Sequence, residues 1–104
     1  MRLQKFYSNY SLKELQKALV QNDTSAKVVT VFFEEVKDYT SGYLKGKYER
    51  TFNKRDFEDA YQEASIAFRR AIVEGKYQGN AKLETYFTSI CRNKYADILS
   101  LIHI

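Results

Sequence analysis

The sequence predicts an all-α domain, a compact bundle of about four helices. Three observations carry that expectation. Proline is absent from the 104 residues and glycine occurs only four times, so few positions interrupt a helix. Apolar residues recur at steps of three and four through four separate stretches. The joins between those stretches are short, as a helical bundle requires.

The first helix is expected from about Ser11 to Gln21. Ser11 and Glu14 fit a capping box, and Leu12, Leu15, Ala18 and Leu19 share one apolar face. Residues 21–24 (QNDT) are a polar break. The second helix is expected from about Ser25 to Lys45, with Val29, Phe32, Phe33, Val36, Tyr39 and Tyr43 at helical steps. The β-branched run Val28, Val29, Thr30, Val31 leaves a strand open locally, but the period through Tyr43 favours helix. Residues 46–55 form a basic connector. The third helix opens at Asp56, a good N-cap, with Glu58 and Asp59 where the helix dipole favours negative charge. It closes near Gly75, a natural C′ residue. After a loop at 76–79, Asn80 is expected to cap a fourth helix carrying Leu83, Tyr86, Phe87, Ile90, Cys91, Tyr95 and Ile98.

Composition excludes several classes. Apolar residues make up 44% and charged residues 29%, the balance of a folded soluble domain and not of a disordered segment. No apolar run approaches the length of a membrane span, and the N-terminal residues lack the apolar core of a signal peptide. A single cysteine, Cys91, forbids an internal disulfide and fits a reducing cytoplasm. The formal net charge of +4 is unevenly placed. Lys45, Lys47, Arg50, Lys54 and Arg55 stand against one acid, Glu49. Asp56, Glu58, Asp59 and Glu63 then follow with no base among them.

Catalytic constellations are nearly absent. Cys91 falls on an apolar helix face, where a small core residue is expected and not a nucleophile. There is no glycine-rich phosphate loop. Glu58, Asp59 and Glu63 lack a matching carboxylate and histidine set on a second helix. Neither an enzyme nor a metal or other cofactor is expected.

Two helix faces read as contact surfaces. On the third helix Asp59, Gln62, Glu63, Ile66 and Arg70 fall at steps of three and four, away from Tyr61, Ala64 and Phe68. An isoleucine inside a polar stripe suits an apolar centre ringed by polar contacts, although a solvated face with one stray apolar residue fits equally well. On the fourth helix Tyr86, Phe87 and Tyr95 accompany Lys82, Arg92 and Lys94. Aromatic rings stack on unpaired bases while cations hold phosphates. Phe87 and Ile90 are expected in the core and Tyr86 at its rim.

The stretches DFEDAYQEASIAFRR (56–70) and LETYFTSICRNKYADIL (83–99) together resemble region 2 of bacterial sigma-70 family factors, the extracytoplasmic-function group above all. The likeness covers roughly residues 24–98 and is most specific over 56–98. It implies that Asp59, Gln62 and Glu63 meet the basic coiled coil of the RNA polymerase largest-subunit clamp, with Ile66 adding apolar contact. It implies that Tyr86 stands where the family has tryptophan or another aromatic. Asn93 matches the start of the pocket that captures a flipped non-template base of the promoter −10 element, and Lys82, Arg92 and Lys94 would steady the phosphates. Opening a duplex costs roughly 1–2 kcal/mol per step of lost stacking. Stacking on an aromatic ring returns ~1–3 kcal/mol per base, so a few captured bases hold the strands apart without covalent chemistry. Ser65 and Arg69 depart from the family, which often has large apolar residues there. The family also admits an anti-sigma factor as partner. A helical protein–protein adaptor using only the acidic stripe is the competing expectation.

Residues 1–23 match no particular family segment and are read as an additional N-terminal helix. Residues 99–104 (LSLIHI) include the one histidine, His103. They can be back-translated as CTG TCT CTT ATA CAC ATC, which is similar to a transposon end sequence used to build sequencing libraries. The expectation is an adapter-derived tail on a fragment that lacks the family's C-terminal helix-turn-helix domain; the competing expectation is a real apolar helix end.

Overall fold

A computed structural model describes residues 12–23, 25–77, 79 and 81–102 of the chain. The expected caps at Ser11 and Asn80, Thr24 of the polar break and His103 lie outside the described residues. Within them the protein is all-α. Four helices follow one another: α1 (Leu12–Val20), α2 (Lys27–Lys47), α3 (Lys54–Val73) and α4 (Leu83–Ile102). No strand occurs among the described residues, so the β-branched run at 28–31 is helical. None of these helices is long and apolar enough to cross a membrane.

Helix ends follow local chemistry. Asn22, in the left-handed region (φ 55°), ends α1. Its N–H donates to the Leu19 carbonyl and the Asp23 N–H to the Ala18 carbonyl, the paired bonds of a Schellman motif. Asparagine tolerates this conformation better than most residues with a side chain. Ser25 Oγ donates to the Asp23 carboxylate at 2.8 Å, and Ala26 stays extended, so α2 starts two residues later than periodicity suggested.

The start of α3 also corrects expectation. The cap is Asn53, not Asp56: its side chain accepts from the Asp56 N–H at 3.0 Å. Asn53 offers the same capping oxygen three residues earlier, so Asp56 falls inside the first turn. There its charge faces the dipole beside Lys54 and Arg55. At the other end Gly75 (φ 73°) is C′ as expected. Its N–H donates to the Ile72 carbonyl and the Lys76 N–H to that of Ala71.

The core is aromatic at its centre. Phe32 of α2, Phe68 of α3 and Phe87 of α4 are fully buried and meet at centroid distances of 5.2–6.4 Å. Leu15, Ala18 and Leu19 of α1 close one side. Along α2 the buried line is Phe32, Val36, Thr40, Leu44. Tyr39 and Tyr43, expected on the apolar face, are each 41% exposed instead. Thr40 takes the interior position because its hydroxyl pairs with that of Thr88 on α4 at 2.9 Å, which satisfies both polar groups inside the core. Tyr95, also fully buried, packs on Tyr48 and Phe52 of the connector. Helix α4 continues unbroken through 99–102, with Leu99 partly buried against the core and Leu101 73% exposed.

Candidate functional site

Two outward faces collect the residues singled out in the sequence. On α3 the inner line is Phe57, Ala60, Ala64, Phe68, Ala71 and Ile72, all buried. The opposite line is Asp59, Gln62, Glu63, Ile66 and Arg70, all of them exposed. Ile66 is 62% exposed within it, and Val73, one heptad further on, is 47% exposed. Seven residues return a helix to within ~20° of the same direction, so Ile66 and Val73 share this face. Val73 was not singled out in the sequence, although the heptad step from Ile66 is the signal that reveals it.

The flank of α3 is fixed by contacts to α2. Lys37 Nζ binds the Glu58 carboxylate at 2.9 Å and lies 5.1 Å from the Tyr61 ring centre. Tyr61 donates its hydroxyl hydrogen to the Phe33 carbonyl at 2.9 Å, and burial raises its pKa above the ordinary value. Glu58 is thereby committed to a neighbour, unlike the outward Asp59 and Glu63.

Ser65 and Arg69 now have a physical account. Ser65 Oγ donates to the Tyr61 carbonyl one turn back at 2.8 Å, the usual way a half-buried helical serine satisfies its hydroxyl. The Arg69 guanidinium carbon lies 4.5 Å from the Phe33 ring centre. It covers an aromatic face that a large apolar residue would otherwise shield.

On α4 the interior line is Leu83, Phe87, Cys91 and Tyr95. Burial pushes the Cys91 thiol up to about 12, so it remains protonated and chemically quiet in the folded protein. Glu84 and Thr88 are buried on the same helix, a pair that apolar periodicity does not reveal. Tyr86 is half-buried at the rim, its ring centre 6.0 Å from Phe68 and 4.9 Å from Tyr77.

The selected α4 residues do not all fall together. Tyr86 and Asn93 project to one outward side, since they are a heptad apart, while the exposed Lys82 immediately precedes α4 and its carbonyl accepts from the Tyr86 N–H. Arg92 and Lys94 flank Asn93 on opposite borders and are half-buried. Adjacent helical residues diverge by about 100°, which is why a run of three polar residues cannot form one patch. Among the described residues no three His, Cys, Asp or Glu side chains group as a metal site.

Comparison with protein-family models, curated proteins and solved structures finds no match.

Proposed function

We propose that this chain is a sigma-type promoter-recognition domain that binds the RNA polymerase clamp through α3 and a melted −10 non-template strand through α4. The observation that carries the reading is the α3 stripe. Asp59, Gln62 and Glu63 stand around the exposed Ile66, on the side of the helix opposite its buried line. Acids and an amide surrounding a bare apolar side chain complement a basic, partly apolar coiled coil. The second support is the outward pair Tyr86 and Asn93 of α4, with the exposed Lys82 just before the helix, which together offer an aromatic face, a base-reading amide and a cation. No covalent step is assigned to the domain.

An adaptor without DNA binding is the second reading. It is favoured by one observation: Arg92 and Lys94 diverge from Asn93, whereas Ile66 and Val73 converge on one α3 face. The test is anisotropy with a single-stranded −10-like oligonucleotide. Under the first reading Asn93→Ala removes base preference. Unaltered preference would overturn the pocket at Asn93, and absence of any binding to the oligonucleotide would leave the adaptor.

A further inference from the structure

We propose that the C-terminal half of α2 and the connector at 48–53 form a second cationic and aromatic surface that binds a single-stranded nucleic acid. It lies on elements separate from the α4 row and uses none of its residues. The basic run that precedes the acidic patch has no task in the function proposed above. Its five bases, Lys45, Lys47, Arg50, Lys54 and Arg55, are all exposed.

Beside the run stand two tyrosines outside the core. Tyr39 and Tyr43 are each 41% exposed, while Val36, Thr40 and Leu44 fill the interior at the same level. They sit one turn apart, and Lys47 extends the same line by another turn. Residues at this spacing have Cβ atoms about 5–6 Å apart, so two rings and an ammonium group form one row.

The connector supplies firm platforms for the cations. Lys47 Nζ lies 5.9 Å from the Tyr48 ring centre and Lys45 Nζ 5.8 Å from that of Phe52. Both rings pack on the buried Tyr95, at 5.0 and 5.9 Å. The Lys47 ammonium thus lies over a ring that the core holds in place, in line with Tyr39 and Tyr43, whereas Lys45, over Phe52, faces the other flank of α2.

The surface has defined borders. Glu35 lies one turn before Tyr39 on the same line and places an acid at that end. On the other flank of α2 a cleft of about 360 Å³ is lined by Lys37, Asp38, Lys45, Lys54 and Glu58 with Phe52. Its mixed charge, with Lys37 already bound to Glu58, makes it a poor anion site. The row Tyr39, Tyr43, Lys47, with the exposed Arg50 in the turn that follows α2, is the side that suits a polyanion. Exposed tyrosine faces meet bases only when those bases are unstacked, which selects a single strand over a duplex.

The test is fluorescence anisotropy of the whole chain with labelled oligo(dT) of about 20 nucleotides, with oligo(U), a duplex and polyglutamate as further probes. Tyr39→Ala with Tyr43→Ala is expected to weaken oligo(dT) binding ~10-fold or more, while Tyr39→Phe with Tyr43→Phe binds as the unaltered protein does. Lys47→Gln with Arg50→Gln is expected to reduce the log–log salt slope by about 1.4, at ~0.7 for each phosphate left without its cation. Tighter binding of oligo(dT) or oligo(U) tells DNA from RNA as the source. The proposal is overturned if the double alanine variant, folded by circular dichroism, stays within twofold of the unaltered protein. It is equally overturned if the phenylalanine variant loses as much as the alanine variant, or if polyglutamate or duplex binds as tightly as a single strand. Clamp binding involves no nucleic acid, and the α4 row is read separately by Asn93→Ala, which leaves the oligo(dT) loss caused by Tyr39→Ala with Tyr43→Ala unchanged, so failure of that reading is distinguishable from failure of this one.

Discussion

The backbone N–H of Asn53 donates to the Tyr95 hydroxyl at 3.0 Å, so the residue that starts α3 is fastened to the second half of α4. The same residue caps α3 through its side chain. The two helices bearing the candidate surfaces are therefore registered to each other at this junction, as well as along their packed faces.

Removing this registration should be measurable. Tyr95→Phe keeps the ring between Tyr48 and Phe52 but leaves a partly buried N–H without its acceptor. A loss of about 1–2 kcal/mol is expected in urea unfolding. Asn53→Ala should cost about 0.5–2 kcal/mol through the lost cap. Asn53→Asp keeps the capping oxygen and should lose much less.

The Thr40–Thr88 pair makes a second prediction. Thr40→Val leaves the Thr88 hydroxyl buried without its partner and should cost about 1–3 kcal/mol. Thr40→Val with Thr88→Val removes both hydroxyls. Its cost should fall below the sum of the two single changes in a double-mutant cycle followed by unfolding midpoint.

These two junctions also mark what could be read from the sequence. The four helices, the Gly75 stop and the outward stripe at Asp59, Gln62, Glu63 and Ile66 follow from spacing alone, because burial on α3 is strictly periodic. The Asn53 cap was legible in kind but not in place, since Asn53 and Asp56 carry the same chemistry three residues apart. On α2, periodicity points Tyr39 and Tyr43 the wrong way. A buried threonine pair has no signature in apolar periodicity, and tertiary contact decides which row turns inward. On α4 the polar run at 92–94 concealed a divergence of directions that only the helix phase resolves.

Alkaline pH should destabilise the protein through Cys91. Its folded pKa is about 12, against 9.0 for the free thiol. Below pH 9 both states keep the proton and the contribution is complete. As pH rises from 9 towards 12 the unfolded chain releases the proton first, so stability falls. Raised Tyr61 acts in the same direction above its ordinary value of 10.0. Unfolding midpoints should decline through this window, and Cys91→Ala should flatten part of the decline. In native protein at pH 8 the thiol should resist alkylation, and in denaturant it should react at once.

Arg69 should tolerate apolar replacement. Arg69→Leu keeps a cover over Phe33 and is expected within about 0.5 kcal/mol of the unaltered protein in thermal unfolding, whereas Arg69→Asp loses both stem and cation and should cost about 1 kcal/mol or more.

The central claim is that the α3 stripe meets the polymerase clamp, and calorimetric titration of the chain with the isolated clamp coiled coil tests it most directly. Weak but saturable binding is expected, abolished by Asp59→Ala with Gln62→Ala and reduced by Ile66→Ala. Absence of binding by the unaltered chain, or undiminished binding by the Asp59→Ala, Gln62→Ala variant, would contradict it.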